Sequence, residues 1–238
     1  MLYRLNLEEM EGRWIAYVAS LPGCFASATT FSAAMALAPQ AISDYLAWLH
    51  AHGETITPHE LAPEMGELHR AWNSEPDYEV NAFFATDHAP LTADEITRAL
   101  HLLEWTRVDL FTALDGVSPA DLTLELEPGW SLQRILRHVA NSEWWYLDRL
   151  GLSSGSLNEL PEDWGTRLAY TRARLREVLP TLAGDKRLLE KQFELWSPRK
   201  LLRRALWHER DHTAHIRQFR RQLASPTPSQ SHTQEGSP

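Results

Sequence analysis

What most constrains the fold of this 238-residue chain is a change of hydrophobic period along its length. Near the N-terminus, Tyr3, Leu5 and Leu7 interleave with Leu2, Arg4, Asn6 and Glu8, and Ile15, Tyr17 and Ala19 with Trp14, Ala16 and Val18. A period of two is that of a strand. Glu11-Gly12 between the two runs reads as a hairpin turn, because glycine supplies the positive φ a tight turn needs. Leu21-Pro22-Gly23 ends the second strand, and Cys24 to Ala26 form a short third one. From Thr30 the period becomes helical: Phe31, Met35, Ala38, Ile42, Tyr45, Leu46 and Leu49 share one face, and Gly53 closes it. Pro39 inside this pattern predicts a kink or two shorter helices. Residues 54–76 hold three prolines and read as irregular; Tyr78 to Ala85 read as a fourth strand.

From Pro90 onward the helical period dominates. Thr92 with Glu95 forms a capping box ahead of Ile96, Leu100, Leu103, Val108, Phe111 and Leu114, all expected inward, and Gly116 ends this helix. A second helix follows Ser131 and runs through Ile135, Leu136, Val139 and Tyr146 to Leu150. A third covers Trp164 to Leu182; a fourth opens at Ser197-Pro198, since proline suits a first helical turn, and runs to Leu223. Four amphipathic helices of this length predict an all-α four-helix bundle. The expected fold class is therefore an α+β N-terminal domain, β-β-β-α-β over residues 1–86, then a linker at 87–90 and the bundle at 91–223. Residues 224–238, rich in Ser, Pro, Thr and Gln, read as a disordered tail.

Composition narrows the function classes. A net charge of −9 argues against nucleic-acid binding by the whole surface. The single cysteine, Cys24, excludes an intramolecular disulfide framework, and with no apolar run of membrane length and an acidic Met1–Glu11 stretch it predicts a cytoplasmic protein without membrane contact. Cys24 itself, just after a turn, reads as a small packed residue. The eight basic residues of the fourth helix, from Arg199 to Arg221, read as a solvated face with carboxylate partners on neighbouring helices.

The unusual feature is eleven histidines. On the fourth helix, His208, His212 and His215 fall along the inward stripe with Leu201, Ala205, Ile216 and Phe219. Burying several imidazoles together without a partner is costly, because each leaves ring nitrogens to satisfy. Two histidines four apart on a helix can chelate one cation. His138 on the second helix is the candidate third ligand. In a simple up-down bundle the second and fourth helices run parallel, and counting from Ser131 and Ser197 the heights of His138 and His208 differ by roughly 6 Å. Core histidines with ordinary partners are the alternative. His215 reads as a residue at the rim; the histidines at 50, 52, 59, 69, 88 and 232 read as solvated, and His101 as sideways-facing. His208-Glu209-Arg210-Asp211-His212 also spells the H-E-x-x-H helix of zinc peptidases, in which the glutamate is general base. Here no further histidine follows at the metzincin spacing, and there is no room for a substrate-binding sheet.

Two stretches of the chain resemble known families. Glu11-Gly12-Arg13-Trp14-Ile15-Ala16-Tyr17-Val18, Leu21-Pro22-Gly23-Cys24 and the helix through Ala41-Ile42 resemble the HicB antitoxin family. That implies a small domain for protein–protein contact, often dimeric, with no catalysis of its own; Ala28 stands where relatives commonly carry glycine, and the usual DNA-binding element after it is absent. Gly129-Trp130-Ser131-Leu132 leading to His138, and Leu201 through Trp207 leading to His208 and His212, resemble the DinB superfamily of metal-binding four-helix bundles across residues 91–223. This resemblance implies that His138, His208 and His212 are the ligands of a divalent metal, and that His215, where relatives often have Gln, is not.

An open fourth position beside three histidines suits catalysis, with Zn²⁺ as the default and Ni²⁺ or Fe²⁺ compatible. Some DinB relatives use metal-held thiols, so the expected enzyme is a thiol S-transferase acting on a small electrophile, with Glu209 as a catalytic residue that orients a ligand or moves a proton. A plain ion-pair role for Glu209 with a neighbouring arginine is the alternative. The competing function is a non-enzymatic interaction protein whose residues 1–86 engage a protein partner and whose metal is structural.

Overall fold

The computed structural model describes residues 2–55, 62–125 and 127–224. His59 and the tail expectation for 225–238 lie outside the described residues, as does His232. The chain opens with β1 (Leu2–Met10), β2 (Arg13–Val18), β3 (Phe25–Ala28) and the helix α1 (Phe31–Ala51). The fourth strand of the sheet is β4 (Ala62–Arg70), not the expected 78–85 segment. It pairs parallel with β1, and the sheet order is β3-β2-β1-β4. The sequence conceals β4 because Pro63, Gly66 and two glutamates dilute its pattern, which an edge strand tolerates. The expected strand at 78–85 shrinks to β6 (Tyr78–Val80), which forms a hairpin with β5 (Trp72–Glu75).

Pro39 does not divide α1, which runs unbroken as a helix across it, capped by Thr30. The lost hydrogen bond is outweighed by the buried stripe Ala34, Ala38, Ile42, Tyr45 and Leu49. That stripe covers one face of the sheet, the face of Leu5, Leu7, Ala16 and Val18. The other face is covered as well: Met10, Ile15 and Tyr17 pack with Phe84 and Trp207. Alternation alone places Asn6 and Glu8 in solvent; they are 2% and 0% exposed.

The C-terminal part is mostly helical: α2 (Ala93–Thr112), the short α3 (Pro119–Thr123), α4 (Leu132–Arg149), α5 (Trp164–Val178) and α6 (Pro198–Ala224). A hairpin, β7 (Leu189–Lys191) with β8 (Glu194–Trp196), precedes α6. The caps are those the sequence announces: Thr92 and Glu95 form the box of α2, and Ser131 caps α4. In α2, however, Val108 and Phe111 are 54% and 43% exposed, whereas Thr106 and Arg107 are buried. A charged residue has taken the inward position.

Helix directions follow from the pairings. Glu95 meets Arg199, Thr106 meets Glu209 and the Ala113 carbonyl meets Arg220, so α2 and α6 run parallel. Asn141 meets Arg167 and Glu143 meets Arg172, so α4 and α5 run parallel to each other. Ser142 meets His208 while Trp130 meets His215, so α4 is antiparallel to α6. The order is up, down, down, up, and the simple up-down alternation is corrected. The residues between α4 and α5 carry the chain back along the helices, which permits the parallel pair. One apolar cluster runs from Leu5 and Ile42 through Leu103 and Leu147 to Leu206, so sheet and helices share a packed interior. Among the described residues no helix is long and apolar enough to cross a membrane.

Candidate metal centre

The site is assembled from α4 and α6. Helix α4 starts at the Ser131 cap, and two turns later His138 projects between the buried Ile135 and Val139. On α6 the four-residue step puts His208 and His212 on successive turns of one face. His138 of α4 lies level with both. His138 Nε2 lies 2.9 Å from His208 Nε2, and His212 Nε2 lies 3.1 Å from it. One ligand atom from each residue lies within 4.8 Å of the others. The three expected residues are thus brought together, although the parallel-helix reasoning for their heights fails.

The geometry carries its own chemical argument. His208 Nε2 has one in-plane site for one partner, yet His138, His212 and the Ser142 hydroxyl at 3.4 Å all converge on it. Hydrogen bonds cannot satisfy that arrangement; a cation shared by the three lone pairs can. His212 Nδ1 is also buried without a hydrogen-bond partner. Burial pushes the His208 imidazole well below its ordinary value, and His212, His138, Arg204 and Arg13 push it further. Burial does the same to His212, with help from His138, His215 and Arg13, and by itself lowers His138. All three are therefore neutral at pH 7, the form that ligates metals.

The surroundings are aromatic on one side and polar on the other. Trp130 stands edge-on to His138 at 5.4 Å between ring centres and tilted to His212 at 6.1 Å. Tyr146 meets His208 edge-on at 6.0 Å. Beside His138 a cleft of about 610 Å³ opens, lined by Trp130, Gln133, Arg134, Arg137 and Asn141. His215 sits at the rim, 3.5 Å from the Glu127 carboxylate and against Phe219. His52 and His101 stack on Trp105 elsewhere in the molecule.

Glu209 is next to His208 in sequence but belongs to a different cluster. Its carboxylate accepts from Thr106 Oγ1 at 2.5 Å, Arg107 Nε at 2.5 Å and Arg172 Nη2 at 2.7 Å. Burial alone would raise its pKa; Arg172 and Arg107 overcome that and hold it far below the ordinary carboxylate range. Glu143 completes the cluster, accepting from Arg107 Nη2 at 3.1 Å, Arg172 Nε at 2.7 Å and Thr171 at 3.1 Å. Sequence reasoning missed Arg107, Glu143 and Arg172, because charged residues on an amphipathic helix read as solvent-facing. The signal available was the five-residue step from Leu103 to Val108, which breaks the three- and four-residue spacing of a buried stripe.

The basic residues at the start of α6 are likewise turned inward. Lys200 is fully buried on Glu194 at 2.6 Å, Arg203 pairs with Asp87 at 2.8 Å, and Arg204 lies 3.9 Å from Glu8. Arg199 finds its carboxylate, Glu95, on a neighbouring helix. The expectation of a solvated face is corrected for the first half of the run, where Lys200 and Arg204 are buried and Lys200, Arg203 and Arg204 find carboxylates on strands and turns, whereas Arg217 and Arg221 are exposed. Cys24 is 3% exposed, packed against the Ala41 carbonyl, and burial pushes its thiol up to about 12.

Among known proteins, no curated one matches the chain. The family model of the DinB superfamily matches residues 102–216, a span from α2 into α6 that excludes the N-terminal sheet and includes all three histidines; that segment is DinB-like.

Proposed function

We propose that α2, α4, α5 and α6 form a DinB-type four-helix bundle that holds one divalent cation on His138, His208 and His212, with Zn²⁺ the default and Ni²⁺ or Fe²⁺ compatible. The observation that carries this reading is the convergence of three neutral Nε2 atoms on one point, 2.9 and 3.1 Å apart. A closed structural zinc site has four protein ligands; among the described residues this cluster has three, with Ser142 nearest to it. The reaction we assign is thiol S-transfer onto a small electrophile in a cytoplasmic setting. When bound, the metal supplies a lowered thiol pKa and a held thiolate. Three uncharged ligands leave the cation its full positive charge for that purpose. Trp130 walls the centre on one side, and the cleft of Arg134, Arg137 and Asn141 gives a polar approach beside His138. Glu209 we read as the anchor of α6 and not as a proton shuttle, since three donors already hold its two oxygens. The H-E-x-x-H peptidase reading lacks a free base for the same reason.

The test is elemental analysis of protein purified without added metal, repeated on His138→Ala and His212→Ala. One equivalent in the parent and none in either variant is expected. Retention of stoichiometric metal by a variant sinks the ligand assignment.

A second reading keeps residues 1–86 as a HicB-like interaction domain. It rests on the edge strand β4, where Met65 and Leu68 are 57% and 51% exposed. If this edge pairs two copies, sedimentation shows a dimer that Leu68→Glu dissociates; a concentration-independent monomer removes the pairing.

A further inference from the structure

The stripe of α6 that backs the histidines is where the N-terminal region docks. Arg203, Leu206, Trp207, Arg210 and Asp211 follow steps of three and one, and so form one face of the helix. Each touches the N-terminal region. Arg203 lies over the rings of Tyr17 and Phe84 at 5.0 and 4.7 Å. Trp207 packs edge-on to Tyr17 and Phe25. Arg210 spreads over Tyr45 and Trp48 of α1 at 4.8 and 4.6 Å. Gly23 has a positive φ of 84°, and a Cβ there would meet Leu206 and Arg210 at 3.3 Å. The turn after β2 is therefore pressed against this face.

The most specific of these contacts lies between the two ligands of α6. Arg13, at the start of β2, grips Asp211 with both arms of its guanidinium: Nη1 to Oδ1 at 2.8 Å and Nη2 to Oδ2 at 2.6 Å. Asp211 is one residue before His212 and three after His208, and Arg13 is braced by Ser27 and by the Trp207 ring. A bidentate arginine–carboxylate pair fixes direction as well as distance. It joins the sheet to the single helical turn on which the spacing of two imidazoles depends.

We propose that the N-terminal sheet is a positioning element for the metal centre, and that Arg13 and Asp211 are the positioning pair through which it holds His208 and His212 in register with His138. This rests on the metal reading above. Neither residue is a ligand; they set how tightly the ligands are held.

The experiment uses the full chain loaded with Co²⁺, whose d–d absorption reports ligand geometry, and measures cobalt release into excess EDTA. Groups bonded directly to metal ligands are worth about 10–100-fold in metal affinity; Arg13 and Asp211 act through the helix that carries the ligands, so Arg13→Met and Asp211→Asn are each expected at or somewhat below the lower end, releasing cobalt several-fold to about tenfold faster with a changed d–d band. The double variant is expected to release no faster than either single one, since both break the same contact. Arg13→Lys, which keeps the charge and loses the fork, should fall between. Arg4→Met, breaking the exposed Arg4–Glu64 pair at 3.6 Å on the same sheet, should match the parent. A merely structural role lowers the melting temperature and leaves band and release rate unchanged; that result, or additive effects in the double variant, overturns the proposal while the metal reading stands. A parent chain that takes up no cobalt overturns both.

Discussion

Two buried polar clusters share one turn of α6 and are built on opposite rules. Glu209 and Glu143 with Arg107 and Arg172 form a closed set: two anions and two cations, with Thr106 and Thr171 donating to the carboxylates and the spare arginine donors used on backbone carbonyls. His138, His208 and His212 form an open one, in which three ring nitrogens face each other and, among the described residues, no fourth histidine, cysteine or carboxylate joins them. The closed set ties α2, α4, α5 and α6 together, and its arginines account for the inward turn of charged residues that displaces Val108 and Phe111. Where polar groups are completed inside the chain they specify packing; where they are left incomplete and held rigid, they await something from outside. Proximity to a histidine in sequence is therefore a poor guide to role, and Glu209 is the case in point.

The largest expected effect breaks the closed cluster. Glu209→Ala leaves Arg107 and Arg172 with one carboxylate between them in a dry interior. Removing one partner of a buried ion pair costs about 3–5 kcal/mol, and urea unfolding of the metal-free chain should register a loss of that size. A loss below about 1 kcal/mol would show that water enters the cluster and that it is not closed. The open cluster should behave in the contrary way. In metal-free protein His138→Ala removes no satisfied partner and should shift the urea midpoint little. With free Zn²⁺ at a thousand times its dissociation constant, the parent gains about 4 kcal/mol by mass action and His138→Ala gains none. Equal gains in both would mean that zinc binds elsewhere.

The same contrast explains how much could be read beforehand. Helix starts were legible because Thr92, Ser131 and Ser197 sit at caps, where local chemistry decides the structure. The histidine triad was legible because a four-residue step on an apolar stripe has few other uses. The relative direction of α4 and α6 was not, since no local feature records which way the residues after α4 carry the chain. Nor was β4, whose Pro63 and Gly66 suit an edge strand and imitate a loop. Glu8, Arg107 and Arg204 share one reason for being hidden: a charged side chain is legible as buried only together with its partner, and their partners lie far away in sequence. Lys200 finds Glu194 only six residues back, but across the turn between β8 and α6 that the helical pattern does not show.

A third ion pair measures what burial contributes to the difference. Arg199 grips Glu95 with two nitrogens, at 2.7 and 2.9 Å, much as Arg172 and Arg107 grip Glu209, but the Glu95 side chain is 42% exposed. Hydrogen bonding from Arg199, with the Thr92 amide assisting against partial burial, holds the Glu95 carboxyl down to about 2 from an ordinary 4.5. The folded value lies below the unfolded one, so the stabilisation is fully present above about pH 4.5 and is lost as pH falls toward 2. Solvent screening at an exposed site limits it to about 1 kcal/mol or less. Glu95→Gln should therefore lower the urea midpoint slightly at pH 6, and the gap between parent and variant should close by pH 2. A gap at pH 6 as large as that of Glu209→Ala would show that geometry, not burial, sets the strength of these pairs. A gap that persists unchanged to pH 2 would assign it to the capping box of Thr92, which a neutral glutamine side chain serves less well, and remove the ion pair from the account.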